Sequence, residues 1–194
     1  MNNTVLIKNI APPPIDKQEI LRYAGCRESS ADVLALMESC LKESETAFAY
    51  NVCYRVLDVS IAGDICDFGS FSVPSISLAK CLSGYEKVVL FGATVGADID
   101  RLIAKHSRLS PSRALMLQAI GAERIEALCD AFCNDWAVRS PRFSPGYGDL
   151  PLAIQKDIFS LLDCSRRIGL ALNESLIMSP TKSVTAFMGI KQQI

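Results

Sequence analysis

The apolar residues change period near residue 49, and that change dictates the class of fold. Val33, Leu34, Met37, Leu41 and Phe48 follow the three- and four-residue spacing of an amphipathic helix, with Ser29 or Ser30 as its cap. From Tyr50 the spacing falls to two. Tyr50, Val52, Tyr54 and Val56 alternate with Asn51, Cys53, Arg55 and Leu57, the pattern of a half-buried strand that runs from Ala49 towards Ile65 through a hairpin at Ile61–Ile65. A chain that must bury one stripe of a helix and one face of a sheet packs them on each other, so the sequence predicts a mixed α/β fold.

The rest of the chain continues the mixture. Pro12-Pro13-Pro14 keeps residues 1–15 extended, and Asp16 caps a short helix over Lys17–Tyr23 that stops near Gly25. Ser75–Cys81 reads as a helix closed by Gly84. Val88-Val89-Leu90-Phe91 is a fully buried strand, followed by a turn at Gly92 and a helix from Ala97 to Ser107. Ser110-Pro111 opens the longest helix, expected to reach Arg139, because proline suits a first turn. A Pro/Gly loop over 140–151 precedes a helix from Ile154 to Leu172 and two strands, Glu174–Met178 and Ser183–Met188. With no repeat or linker in sight, residues 1–194 are expected to form a single domain.

Composition removes several classes of function. Charged residues make up 21% of the chain, the net charge is −1 and Arg166-Arg167 is the longest basic run, so nucleic acid is not an expected partner. No apolar stretch approaches the ~20 residues of a membrane span, and the start at Met1 lacks the basic and apolar blocks of a signal peptide. The expected location is the cytoplasm. Eight cysteines are spread almost evenly with no Cys-x-x-Cys; Cys129 and Cys133 share a helix face but lack further ligands. They read as reduced, mostly buried apolar residues, and no metal site is expected.

Three stretches carry candidate chemistry. Val88–Asp98 has the outline of a strand, glycine turn and helix that holds a phosphate, but only Gly92-x-x-x-Gly96 is present and a long helix follows where a second strand is needed, so a tight structural turn is the favoured reading. His106 is the one histidine, beside Lys105 near a helix end, open to a general-base role or to ordinary helix-end chemistry. The third is Pro141-Arg142-Phe143-Ser144-Pro145-Gly146-Tyr147-Gly148. Its prolines and glycines make a stiff loop that lets backbone approach a ligand, Arg142 offers a planar fork to a carboxylate, and Tyr147 offers a ring and a hydroxyl. A structural turn accounts for Pro145-Gly146 but not for the flanking arginine and tyrosine.

Arg142–Tyr147, then Ile168-Gly169-Leu170-Ala171-Leu172-Asn173-Glu174-Ser175, then Pro180-Thr181-Lys182-Ser183-Val184-Thr185, form an ordered set that resembles the activation domain of vitamin B12-dependent methionine synthase. The likeness is strongest over 142–190, with a weaker echo of small, free-standing members in Val88–Gly96 and Ala114–Asp130. The resemblance implies a twisted, mainly antiparallel sheet flanked by helices, and a shallow groove for S-adenosylmethionine. By that likeness Arg142 holds the methionine carboxylate, the backbone at Ser144 and Tyr147 meets the adenine end, and Pro145 and Gly146 shape the approach. Glu174 and Met188 are secondary contacts. The ligand ammonium is left to Asp64, Asp67 or Glu174.

The implied role is the repair of cob(II)alamin on a separate methionine synthase, through one-electron reduction by a flavodoxin-like donor and methyl transfer from S-adenosylmethionine. The chain shows no corrinoid motif of its own, so cobalamin enters only through the partner, and no residue is expected to act as a nucleophile. Two alternatives stay open: a module that binds S-adenosylmethionine or docks on another corrinoid protein without assisting turnover, and an autonomous methyltransferase.

Overall fold

Asp16 accepts hydrogen bonds from the N–H groups of Gln18 and Glu19 and opens helix α1 (Lys17–Tyr23), while Ser30 accepts from Val33 N–H and opens α2 (Ala31–Ser44). These are the first helices of a computed structural model that describes residues 4–26 and 30–191; Ser29, the other cap expected for α2, lies outside that range. Strand β1 (Leu6–Asn9) precedes them. Then follow β2 (Asn51–Asp58), β3 (Ser60–Ala62), β4 (Ile65–Asp67), β5 (Ser72–Pro74), α3 (Ile76–Leu82), β6 (Lys87–Thr94), α4 (Asp98–Leu109) and α5 (Pro111–Cys133). The chain ends in α6 (Gln155–Leu162), α7 (Cys164–Ile168), β7 (Ala171–Leu172), β8 (Met178–Ser179) and β9 (Ser183–Ile190).

The main sheet has the order β1-β2-β6-β9 and is antiparallel throughout. It is covered on both faces. Val89 and Phe91 point to a core built with Ile20 of α1, Met37 of α2, Ile99 of α4 and Leu117, Ile120 and Phe132 of α5. Val88 and Leu90 point the other way, into a second core with Leu78 and Leu82 of α3, Ile158 and Leu162 of α6, and Phe187. This alternation between two apolar environments explains the unbroken run Val88–Phe91. It also corrects the reading of β2 as half-buried: Cys53 and Leu57 are buried on the second face, whereas Val56 is the partly exposed residue.

The proline segment is fastened to α5. Arg124, almost wholly buried, donates to the carbonyls of Pro13 and Pro14 at 2.7 Å each and to both carboxylate oxygens of Glu123, which also accepts Asp16 N–H at 3.0 Å. Prolines lack N–H groups but keep carbonyls, and here an arginine satisfies them.

Four boundaries differ from expectation, each for a local reason. Gly92 is strand, paired with Cys53 and Thr185, and the turn comes later, at Gly96. Helix α5 stops at Cys133 because the chain beyond it takes up hydrogen bonds along β9: Ser140 N–H to Gly189 O at 2.9 Å and Lys191 N–H to Val138 O at 3.2 Å. The helix expected over 154–172 breaks at Asp163, which is left-handed at φ 50°, and Ile158, Leu162 and Cys164 keep one apolar face across the break. The strand expected at Glu174–Met178 is a turn, with Leu176 N–H on Asn173 O, and only Met178–Ser179 is extended. Among the described residues no helix is long and apolar enough to cross a membrane.

Candidate functional site

The loop after α5 is anchored before it turns. Phe143 and Phe187 exchange both backbone hydrogen bonds at 2.9 Å, and Ser140 Oγ accepts Gly189 N–H at 2.8 Å, so this segment lies along β9 as a partial extra strand. Tyr147 N–H then closes a turn on Ser144 O, and Gly146, at φ +88°, donates to Leu150 O at 3.0 Å. Gly148 comes so close to α3 that a Cβ there would stand 2.6 Å from Ser77 Oγ. The far end is tied by Asp149, which accepts from Ser75 Oγ and Ile76 N–H at 2.7 Å and from Ser77 N–H at 3.0 Å. The Ser75 hydroxyl and these helix-start N–H groups hold the Asp149 carboxyl well below the usual carboxylate range.

This anchored loop forms one wall of a cleft of about 520 Å³. Arg142, Phe143, Ser144, Pro145 and Tyr147 stand on that wall. Glu126 of α5 and Gln155 of α6 face it, and Met178 with Ser183, Val184 and Thr185 of β9 complete it. Arg142 uses one guanidinium nitrogen, Nη2, for both Glu126 at 2.8 Å and Asp130 at 3.0 Å. Its Nη1 is buried and has no partner, as are Gln155 Oε1 and Thr185 Oγ1. Of the five buried side-chain atoms without a hydrogen bond among the described residues, three therefore belong to residues that line this one cleft. Such atoms are rare because each forfeits its hydration, and their convergence marks a place where a polar ligand completes the set.

The local charge is simple. Burial pushes the Cys133 thiol up to about 11 and the Cys129 thiol further, so neither is charged at neutral pH. Arg142, Glu126 and Asp130 leave this corner with one net negative charge.

Arg142, Ser144, Pro145 and Tyr147 thus meet at the cleft, with the Tyr147 ring 66% exposed at its mouth. Gly146 shapes the turn without lining the cleft. Met188 is fully buried in the core against the helices, and Glu174 is exposed in the turn after β7; neither reaches the cleft. Asp64 and Asp67 lie around the small β3-β4-β5 sheet, and the carboxylate that does line the cleft is Glu126. Glu126 and Gln155 escaped the sequence reading. Glu126 sits one turn before Asp130 on α5, and its only signal was that i,i+4 spacing opposite Arg142.

The other two candidates are structural. Gly96 makes the turn before α4 in an antiparallel sheet, and Asp98 and Asp100 in the first turn of α4 oppose a phosphate there. His106 is buried, with Nε2 2.8 Å from Glu43 Oε1, and Arg113 binds the other oxygen of Glu43 at 2.6 Å. Of the eight cysteines, six are buried.

Residues 135–193, just under a third of the chain, match the sequence family described as vitamin B12 dependent methionine synthase, activation domain. The fold is similar to a solved structure described as the crystal structure of the MetH reactivation domain bound to AdoHcy, with a TM-score of 0.67 and 12% identity over 98% of this chain and 80% of that one. No curated protein matches the chain.

Proposed function

We propose, for a chain whose residues 135–193 carry the methionine synthase activation domain sequence on a reactivation-domain fold, that the cleft beside Arg142 binds S-adenosylmethionine and presents its methyl group to cobalamin on a separate methionine synthase. The observation that carries this reading is the convergence of Arg142 Nη1, Gln155 Oε1 and Thr185 Oγ1, all buried and unpaired, on one cleft.

The chemistry of the donor suits these groups. Its carboxylate takes the unused side of the Arg142 fork, and its ammonium takes Glu126. Gln155 Oε1 accepts an amine or hydroxyl hydrogen from the nucleoside, and Thr185 Oγ1 serves either role. Ser144 and Tyr147 lie at the adenine end, with the exposed Tyr147 ring free to fold over the base. The donor carries one net positive charge, from ammonium and sulfonium against carboxylate, and the corner carries one net negative charge. Once the methyl has left, the thioether product is neutral and this attraction falls, which favours exchange for fresh donor.

Cobalamin, when bound to the partner, supplies the reduced cobalt that accepts the methyl. His106, the chain's one histidine, is buried on Glu43, so this chain offers a corrinoid no imidazole. Its residues bind the donor, orient the sulfonium and keep water from the methyl. The flavodoxin-like reductant acts on the partner in this scheme.

Calorimetry with S-adenosylmethionine tests the binding, and an assay with a methionine synthase truncated of its own activation domain, a reductant and methyl-labelled donor tests the transfer. Label on cobalamin that depends on this chain supports the full reading. Binding without transfer leaves a module that senses S-adenosylmethionine, and an empty isotherm overturns both readings that need the donor.

A further inference from the structure

Two of the eight cysteines meet in the second core. Cys53 of β2 and Cys164 at the start of α7 stand 111 residues apart in the chain, yet their sulfurs are hydrogen-bonded at 3.8 Å and both are buried. This is the one sulfur–sulfur hydrogen bond among the described residues. Gly92 of β6, which pairs with Cys53 across the sheet, forms the floor beneath them. A Cβ on Gly92 would stand 3.1 Å from Cys164 Sγ and 3.6 Å from Cys53 Sγ. Its backbone is ordinary strand, so the glycine is needed for room and not for conformation.

The pair is suited to a bond. A disulfide holds its sulfurs at about 2.05 Å, so the gap closes by a movement within the reach of two side-chain rotations. The thiols are also unequal. Once ionised, Cys53 accepts the hydrogen of Cys164, which lowers the Cys53 thiol and raises that of Cys164. Of the six buried cysteines, Cys53 is the one whose thiol is lowered. The route to it runs through α7, a five-residue helix between left-handed Asp163 and Gly169, with Ser165, Arg166 and Arg167 exposed. A helix this short opens locally far more often than the whole chain unfolds.

We propose that Cys53 and Cys164 form a reversible disulfide when the chain meets a peroxide, and that the link locks α7 onto the main sheet. The Cys53 thiolate attacks one oxygen of hydrogen peroxide; the O–O bond breaks, Cys53 becomes a sulfenic acid, and the leaving hydroxide takes a proton as water. The Cys164 sulfur then displaces the sulfenic hydroxyl, which leaves with the Cys164 proton as a second water. The two thiols lose two electrons and the peroxide gains them. A small thiol reverses the bond by exchange. The inference stands on the fold and needs no ligand in the donor cleft.

The test treats the reduced full chain with hydrogen peroxide, blocks the remaining thiols with iodoacetamide and maps the digest by mass spectrometry. The main product joins the Cys53 and Cys164 peptides, lighter by two hydrogens, and dithiothreitol separates them again. Amide exchange over 165–170 slows at least ~tenfold in the linked form, because α7 no longer opens freely. Cys53→Ala and Cys164→Ala each lose the linked product and the slowing, whereas Cys129→Ala keeps both. If an alanine variant folds poorly, the map of the parent chain decides. Both thiols left free for iodoacetamide, a product that stops at sulfinic acid, links among other cysteines, or a linked chain whose α7 exchanges as fast as before overturns the proposal and leaves the donor reading untouched.

Discussion

Two arginines beside the same helix, Arg124 and Arg142, are both withdrawn from water, yet they end in opposite states. Around Arg124 every guanidinium nitrogen has an acceptor, shared between Glu123 and the carbonyls of Pro13 and Pro14. Around Arg142 two carboxylates compete for Nη2 while Nη1 has none. The first region is closed and fastens the N-terminal segment to α5. The second is open and borders the cleft. Burial by itself does not separate a fastening from a site; the tally of unmet hydrogen bonds does.

The largest expected effect tests the closed region. Arg124→Ala strands the Glu123 carboxylate and two carbonyls and should lower stability by about 3–5 kcal/mol in urea unfolding, with S-adenosylmethionine affinity of the remaining folded protein nearly unchanged. Arg142→Ala should show the reverse: about 2 kcal/mol lost from binding, roughly 30-fold by calorimetry, against less than about 1 kcal/mol of stability, because Glu126 and Asp130 are well exposed. Equal losses of stability in both variants would break the contrast. Thr185→Val sharpens it further. Donor affinity should fall about three- to tenfold, while the ligand-free protein is as stable as before or slightly more so, since an unpaired hydroxyl is gone.

The smallest effect concerns the tether of the open region. Asp149 has a folded value below that of the unfolded chain, so its contribution is present above the ordinary aspartate range and fades as pH falls through that range towards the depressed value. Asp149→Asn should flatten that part of the acid limb in a stability profile against pH; an unchanged slope would free the loop from this tether.

The open region was more legible in the sequence than the closed one. Arg142 to Tyr147 and Ser183 to Thr185 are contiguous strings, and they meet because Phe143 pairs with Phe187. The Glu123–Arg124 fastening is invisible along the chain, since its acceptors are carbonyls more than a hundred residues away. Gln155 was hidden for a related reason: a helix start reads the same whether its first side chain faces water or a cleft. Among the elements, the capping side chains Asp16 and Ser30 located the starts of α1 and α2 correctly, because a cap is a local bond between near neighbours. The end of α5 and the break at Asp163 were missed because strand pairing and a left-handed residue decide them, and neither disturbs the apolar period.

The pairing of Phe143 with Phe187 has a mechanical consequence. One wall of the cleft hangs from the same strand that forms the other, so thermal motion carries both walls together and their spacing hardly varies. A guest entering such a slot meets a gauge already set rather than jaws that must shut, and little ordering is left to be done at the moment of arrival.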